Sequence, residues 1–145
     1  MNLTSLKEQL LALGEKIGLK VFEETTNYIT LHSEITAKDY FENSIYCHIT
    51  VFESGTFHFY MTFDEIEETY DNLYLINHFN VEHPWFKAYI TNLNGKDFLE
   101  IHHAALALED EKAVTDVVGY LLNDVLNEDT LKLLQPIIAN SKKAN

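Results

Sequence analysis

The stretch 44–64 constrains the fold most, because it holds two runs of β-branched and aromatic residues separated by Glu53-Ser54-Gly55. Two such runs around a glycine-containing turn are typical of a β-hairpin. A two-residue turn would mix apolar and polar side chains on one face, whereas a three-residue loop with Gly55 at positive φ separates them. Since a slip of one residue inverts the faces, this separation predicts the three-residue register.

The predicted register gives this hairpin one apolar face and one mixed face. The apolar pairs are Val51–Phe57, Ile49–Phe59, Cys47–Met61 and Ile45–Phe63. The reverse face carries Tyr46, His48, Thr50 and Phe52 opposite Thr62, Tyr60, His58 and Thr56. This reverse face is typical neither of a core nor of a plain solvent-facing surface, and its aromatic rings with polar tips favour binding over chemistry.

A second hairpin is predicted after Pro84, with its turn at Asn94-Gly95, which is a strong short hairpin signal. A two-residue turn places Phe86, Ala88 and Ile90 opposite His103, Ile101 and Leu99 on the core face. It places Lys87, Tyr89 and Thr91 opposite His102, Glu100 and Phe98 on the other face. Because that face resembles the mixed face of the first hairpin, we expect four strands to share one aromatic and polar surface.

Apolar periodicity predicts helices over about residues 4–17, 65–80 and 109–126, and a short helical turn around Leu131–Leu134 that Pro136 ends. Ser5 with Glu8, and Asp64 with Glu67, have capping-box spacing, and Gly18 suits the end of the first helix. Five carboxylates are expected in the first two turns of the second helix: Asp64, Glu65, Glu67, Glu68 and Asp71. The helix dipole stabilises carboxylates at this end of a helix, and we prefer this explanation of the acidic cluster to a metal site.

The remaining segments complete one domain. Alternation over residues 28–32 predicts a strand, and the polar residues 33–43 predict a connecting loop, while residues 19–24 fit either an edge strand or a lead-in. We therefore expect a single α+β domain over residues 1–138 and a disordered tail over residues 139–145.

Composition narrows the class of partner. The formal charge is −13, and all 10 basic residues are lysine, so direct nucleic-acid binding is not expected without guanidinium groups. The single cysteine, Cys47, cannot build a disulfide framework, which predicts a reducing, cytoplasmic setting. The N-terminal residues lack a leader pattern and no apolar run suits a membrane span, so neither secretion nor membrane insertion is expected.

No motif in the sequence predicts catalysis. Cys47 lies among apolar residues, Ser54 lacks an elbow motif, and the glycines build no phosphate loop, so we expect neither enzymatic activity nor a cofactor. Among the seven histidines, His48, His58 and His102 could approach one another only if the two hairpins were neighbours. No metal site is expected, and His103 on the core side is interpreted as a hydrogen-bonded core histidine rather than a ligand.

With this element order, the stretch LYLINHFNVEHPWFKAYITNLNGKDFLEIH resembles the YbjN family and, more distantly, the class I type III secretion chaperones. The resemblance includes Asn77 and Asn80 of the predicted second helix. It implies an α+β fold with an antiparallel sheet of five or six strands and three main helices, in the order α-β-β-β-α-β-β-α. The chaperones imply small acidic homodimers that bind extended client segments, and the YbjN family implies a regulatory or interaction role.

Two functions from different classes follow. The first is a non-catalytic protein-binding, chaperone-like or regulatory module that binds an unidentified protein or peptide, or a second copy of itself, through the mixed sheet face or a strand edge. The predicted partner-binding residues are Tyr46, His48, Phe52, His58, Tyr60, Tyr89 and His102. The alternative is an acidic inhibitor or nucleic-acid-mimicking decoy of a basic enzyme, of the kind a phage could carry. Salt separates the two, because only a decoy complex should weaken steeply as ionic strength rises.

Overall fold

One antiparallel sheet of six strands organises the protein, with the strands in the order β1-β2-β3-β4-β6-β5. The structure is a computed structural model that describes residues 1–105 and 107–144. The strands are β1 (Lys20–Glu24), β2 (Tyr28–Ile35), β3 (Ile45–Phe52), β4 (Phe57–Glu65), β5 (Lys87–Leu93) and β6 (Lys96–Ala105). The helices are α1 (Leu3–Leu13), α2 (Tyr70–Glu82), α3 (Glu111–Leu126) and α4 (Glu128–Ala144). The predicted α+β class is confirmed, with a fourth helix added.

The central hairpin of β3 and β4 has the predicted three-residue loop. Val51, Ile49 and Cys47 pair with Phe57, Phe59 and Met61, as the separation of the two faces required. Gly55 has φ +88°, and a Cβ atom there would overlap the backbone carbonyl of Leu108. Glycine is therefore needed at this position both for the left-handed conformation and for the space.

The second hairpin also has the predicted register, with Ala88 opposite Ile101 and Ile90 opposite Leu99. The turn residues Asn94 and Gly95 both have positive φ, at 54° and 83°, as a two-residue hairpin turn of the predicted kind requires. β4 pairs with β6, so the two hairpins are neighbours in one sheet.

The segment before the central hairpin contributes two strands. Residues 20–24 form the edge strand β1, which settles the alternative left open by the sequence, and all five of its residues are exposed. β2 continues to Ile35, so the prediction of a loop from residue 33 is wrong. Ser33 and Ile35 pair with Cys47 and Ile45, and the buried Ser33 hydroxyl donates to the carbonyl of Ile17. This pairing and burial keep the chain extended where its polarity had suggested a loop.

α1 is capped one turn earlier than the sequence predicted. The side chain of Asn2 accepts a hydrogen bond from the backbone N–H of Ser5, at 3.0 Å, so Asn2 is the N-cap. The α-helix ends at Leu13, and residues 15–17 form a 3₁₀ turn that is followed by Gly18 at φ +69°. The predicted capping box of Ser5 and Glu8 is therefore wrong, whereas Gly18 does end the helical segment.

α2 begins five residues later than predicted. The hydroxyl of Thr69 caps it by accepting from the N–H of Asn72, at 3.2 Å. β4 runs to Glu65, which pairs with Phe98 of β6, and this pairing holds the chain extended through the predicted capping box. Of the five carboxylates expected in the first two turns of this helix, only Asp71 lies in its first turn.

α3 follows the prediction closely, and its N-cap Asp110 accepts from the N–H of Ala113. α4 does not follow it, because Pro136 lies inside that helix rather than ending it. Packing explains the difference, since α4 buries four apolar side chains: Leu131, Leu134, Ile137 and Ile138. The bounds of α4 include residues 139–144, which were expected in a disordered tail, and Asn145 lies outside the described residues. The division into a domain and a tail stays a prediction.

The hydrophobic core lies between the helices and the apolar face of the sheet. Ten of the eleven strand residues predicted for it are buried: Ile45, Cys47, Ile49, Val51, Phe57, Phe59, Met61, Phe63, Leu99 and Ile101. Ile90, on the edge strand β5, is only partly buried. None of the helices in the described part of the chain is long and apolar enough to cross a membrane. Because the helices occupy one face of the sheet, the alternate side chains of the central strands, such as Tyr46 and His48, lie on the face opposite the helices.

Candidate functional site

The outer face of the sheet, opposite the helices, carries one continuous row of cross-strand neighbours. From β1 to β5 the row is Lys20, His32, His48, Tyr60, His102 and Lys87. Each strand contributes one side chain, because in register neighbours on the same face lie side by side. Two imidazoles, a phenol and a third imidazole thus form a band that a lysine flanks at each end.

Three of the predicted site residues form a ring stack within this face. The rings of Tyr60 and His102 lie 4.3 Å apart and 7° from parallel. The rings of His58 and His102 lie 5.6 Å apart and 8° from parallel, and Nδ1 of His58 lies 3.3 Å from Nε2 of His102. The pairing of β4 with β6 creates this cluster, since His102 belongs to the second hairpin and the other two rings to the first.

An acidic side chain lies beside the stack and is held in place by hydroxyl groups. Glu100 accepts from the hydroxyl of Tyr89 at 2.6 Å and from that of Thr62 at 3.3 Å. Thr62 pairs on its other side with Tyr46, which in turn pairs with Glu34. The hydroxyl of Tyr46 lies 3.5 Å from the carboxylate of Glu34. Both tyrosines thus present an aromatic ring on the outer face and direct the hydroxyl group to a carboxylate.

Further aromatic rings lie near the β3–β4 turn and at the β1 edge of the face. Phe52 lies 5.7 Å from the ring of Tyr28 and 6.4 Å from that of His58. At the β1 edge, Phe22 is 64% exposed and lies 5.1 Å from the ring of His32. All seven predicted site residues are therefore on this face, although only His58, Tyr60 and His102 form one stack.

Three residues of this face were not among the predicted partner-binding residues: Phe22, His32 and Glu100. His32 alternates with Ile29 and Leu31, which indicated its face, but the sequence did not show that β2 would pair with β3. Phe22 lies at the bulge in β1 between Val21 and Glu23, so simple alternation could not assign it to a face. The pairing of Glu100 with Tyr89 was predicted, and its acceptor role could have been inferred from that pair.

The surroundings of His48 and His102 lower the pKa of both imidazoles. Burial lowers the pKa of His102, the charge of His58 lowers it further, and Glu100 opposes both effects. Burial and the charge of His32 likewise lower the pKa of His48. Burial and the hydrogen bond to Glu100 raise the pKa of Tyr89, which therefore stays a phenol. Near neutral pH these lowered pKa values favour the uncharged imidazoles of His48 and His102.

Two cavities adjoin the face on either side of Tyr46. One of about 540 Å³ lies beside Gly18, where β2 extends past the end of β1, with His32, His48 and Glu34 among its lining residues. The other, of about 460 Å³, lies at the ends of the strands. Its rim includes four carboxylates: Glu34, Glu42, Asp64 and Glu65. Tyr46, which is 56% exposed, therefore projects between a histidine-lined hollow and an acidic one.

Other groups that could carry chemistry are placed away from this face. Cys47 is buried on the core side, and burial raises the pKa of its thiol to about 12. Nδ1 of His103 lies 2.5 Å from the carbonyl oxygen of Trp85, so the predicted hydrogen bond is present. His103 is only partly buried, so the prediction of a core histidine is wrong in that respect. Within residues 1–105 and 107–144, no three His, Cys, Asp or Glu side chains are grouped closely enough to hold a metal ion.

The fold and this face define a class: an α+β protein with one helix-covered sheet face and one aromatic, polar sheet face. Its architecture is YbjN-like, as predicted. The chain is similar to the crystal structure of YbjN from E. coli, a proposed transcription regulator, with a TM-score of 0.51 and 11% sequence identity over 99% of this chain and 93% of that one. At this identity the likeness establishes the fold alone. Neither a protein-family model nor a curated protein sequence matches the chain.

Proposed function

We propose that the protein is a non-catalytic protein-binding module, with a chaperone-like or regulatory role, that binds its partner on the outer sheet face. The observation that carries the proposal is the row from His32 to His102, together with the ring stack that Tyr60 and His102 of this row form with His58. Rigid aromatic rings with polar tips are enriched at the centres of protein interfaces. A face of this kind suits a protein or peptide partner.

Charge and composition support a protein as the partner. A chain of net charge −13 without arginine lacks the side chains that usually contact phosphates and guanine edges. The description of YbjN as a proposed transcription regulator fits this chain if regulation acts through another protein. A second copy of the chain is one partner to test, as the resemblance to the secretion chaperones implied. The single, buried thiol of Cys47 is compatible with the reducing cytoplasm that we propose as its setting.

Replacing Tyr60 with alanine tests the proposal. The variant Tyr60→Ala removes the ring that stacks on His102, yet Tyr60 is only partly buried and lies outside the hydrophobic core, so the fold should persist. Loss of a central aromatic contact should weaken association by at least ~2 kcal/mol. We expect a lower mass in light scattering if the protein self-associates, or loss of co-purifying partners if it does not.

The matched control is Tyr74→Ala, which removes the same side chain from the exposed surface of α2, where it is 72% exposed. This variant should keep both the native mass and the partners. The proposal is wrong if Tyr60→Ala has a native circular dichroism spectrum and also keeps the wild-type mass and every partner. It is equally wrong if both variants lose the same partners.

The acidic cavity beside Tyr46 favours the second candidate function, an acidic inhibitor or decoy of a basic enzyme. Four residues with carboxylate side chains line this one cavity, in a chain that has 23 carboxylates in all: Glu34, Glu42, Asp64 and Glu65. A complex built on these charges should weaken steeply between about 50 and 500 mM salt, because each exposed ion pair is screened. A complex built on the ring stack should change little over the same range.

A further inference from the structure

At the β5 edge of the sheet, one side chain makes the two backbone hydrogen bonds that a residue of a neighbouring strand would make. Asn80 of α2 accepts from the backbone N–H of Ala88 at 2.6 Å and donates to the carbonyl of the same residue at 3.0 Å. β5 is the last strand in the sheet order and pairs with β6 on its other side. The backbone groups of Ala88 therefore point away from β6 toward the sheet edge.

The alternation of the antiparallel ladder extends this edge along β5. In such a ladder, every second residue turns its N–H and C=O groups outward. The register of β5 with β6 has no irregularity from Lys87 to Leu93. Since the backbone N–H and C=O groups of Ala88 point outward, those of Ile90 and Asn92 do so as well. These two residues therefore offer two more pairs of a backbone donor and acceptor, in addition to the pair on Ala88 that Asn80 binds.

A groove runs between this edge and α2. Its volume is about 460 Å³, and Leu73, Ile76 and Asn77 of α2 line it together with Ile90 and Asn92 of β5. The helical wall is apolar near Leu73, which is 42% exposed. The groove thus combines unfilled backbone hydrogen-bonding positions with apolar side chains, which is the arrangement in which strand addition recognises an extended peptide.

We propose that this groove binds a short extended segment of a partner protein as a seventh strand, in the register that the Asn80 amide begins. The inference rests on the proposed role as a protein-binding module, but it assigns the binding to the β5 edge, which borders the outer face at Tyr89. Ala88 to Asn92 spans four steps of about 3.4 Å. Because Asn80 fills the first position, the open part fits a segment of about three or four residues.

The side chains around the groove indicate the chemistry of the segment. A residue that faces α2 would lie between Leu73 and Ile90, so it should be apolar. Glu68 and Asp97 line the groove, and Asp97 pairs with Asn92 near the β5–β6 turn. A lysine or arginine near that end of the segment would meet two carboxylates on a protein of charge −13.

The opposite sheet edge suits strand addition less well. β1 carries a bulge between Val21 and Glu23, and bulges twist an edge away from a straight partner. β5 has a regular register, and α2 supplies a second wall. Of the two sheet edges, β5 is therefore the better suited to bind an added strand.

Nuclear magnetic resonance with a capped heptapeptide, in which valine and threonine alternate between terminal lysines, tests the proposal on the full chain. We expect shifts and slowed hydrogen exchange at the amides of Ile90 and Asn92, which face the peptide. The same peptide with N-methylated valines should give no such protection. A version of the peptide with terminal glutamates should bind at least about tenfold more weakly, because the carboxylates of Glu68 and Asp97 in the groove then repel it.

Two lysine substitutions on neighbouring exposed positions of α2 provide matched variants. Asn77→Lys places a positive charge in the groove and should weaken binding of the lysine-ended peptide about tenfold. His78→Lys adds the same charge at a position that does not line the groove and should change binding less than about twofold. Tyr60→Ala should leave peptide binding unchanged, which separates a failure here from a failure of the outer-face proposal.

Three results would contradict the proposal that this groove binds an extended peptide. One is the absence of any amide shift at millimolar peptide. Another is a set of shifts confined to outer-face residues such as His48 and His102. The third is equal weakening by the two lysine variants.

Discussion

His102 shows how the environment of one residue defines the outer face. It pairs with Tyr60 on one side and with Lys87 on the other. Its ring stacks on the rings of Tyr60 and His58. Because burial is the largest cause of its lowered pKa, the neutral imidazole is the form that this position stabilises. The face therefore has different charge in mildly acidic and neutral solution.

We expect His102 to titrate below its ordinary value of 6.5. Its contribution to stability is then complete above pH 6.5 and is lost as the pH falls through the lower pKa of the folded state, since the unfolded chain takes up the proton first. Glu100→Gln should lower the pKa further, because the Glu100 charge raises it. The measurement is a magnetic resonance titration of the His102 ring protons, with Glu53→Gln in the hairpin loop as control. A wild-type pKa of 6.5 or more, or an upward shift in Glu100→Gln, would contradict this interpretation.

Phe59 tests the buried side of the same hairpin. Its side chain is fully buried and pairs with Ile49 across the central strands. Phe59→Ala should lower the free energy of unfolding by about 3–5 kcal/mol, measured by urea denaturation. Phe22→Ala, which removes the same side chain from an exposed position, should lower it by about 1 kcal/mol or less. Equal losses in the two variants would mean that the assigned faces are wrong.

At the scale of elements, α4 is the clearest case of packing that overrides local preference. Pro136 lacks an N–H group and lies well inside the helix, where proline ordinarily bends or ends it. The helix nevertheless buries Leu134 and Ile137 on either side of the proline. Burial of these side chains offsets the lost backbone hydrogen bond.

Pro136→Ala should therefore stabilise the protein. Alanine restores the missing donor, which is worth about 3 kcal/mol in a helix interior, while the more flexible unfolded chain removes up to about 1 kcal/mol of that gain. We expect the free energy of unfolding to rise by about 2 kcal/mol. Gln135→Ala, at the preceding position, should change it by no more than about 0.5 kcal/mol. A fall in stability on Pro136→Ala would show that the proline fixes a bend that the packing of α4 requires.

At the scale of the whole molecule, repulsion among carboxylates is the dominant electrostatic feature. The chain has 23 carboxylates and 10 lysines. The ion pairs that include lysine within the described residues are largely at the surface, such as Lys96 with Glu65 and Lys132 with Glu128. Exposed pairs of this kind contribute about 0–1 kcal/mol each. The folded state therefore concentrates negative charge that few attractive contacts balance.

The melting temperature should therefore rise as sodium chloride increases from about 20 to 500 mM, because salt screens the repulsion in the compact state. Differential scanning calorimetry at constant pH gives the measurement. A protein in which attractive ion pairs dominated would instead melt at a lower temperature as salt is added. The same series, repeated with a partner present, distinguishes a contact on the ring stack from an acidic decoy.

The sequence by itself determined which face of each hairpin is apolar. Alternation has a period of two residues, so once Gly55 and Asn94-Gly95 place the turns, the parity of each position assigns its side chain to a face. The pairs Ile49–Phe59 and Ile90–Leu99 follow from that local rule. All seven predicted site residues lie on the outer face for the same reason, while their role in binding stays a prediction.

Only the tertiary structure decided which strands are neighbours and where elements end. The β4–β6 pairing brings His58 beside His102 across 44 positions in the chain, and no local pattern specifies such a contact. The same pairing extends β4 through Glu65, so it overrides the local capping signal at Asp64 and delays α2 to Tyr70. Local preferences of about 1 kcal/mol or less yield when strand pairing and core burial act on the same residues, because those long-range terms are larger.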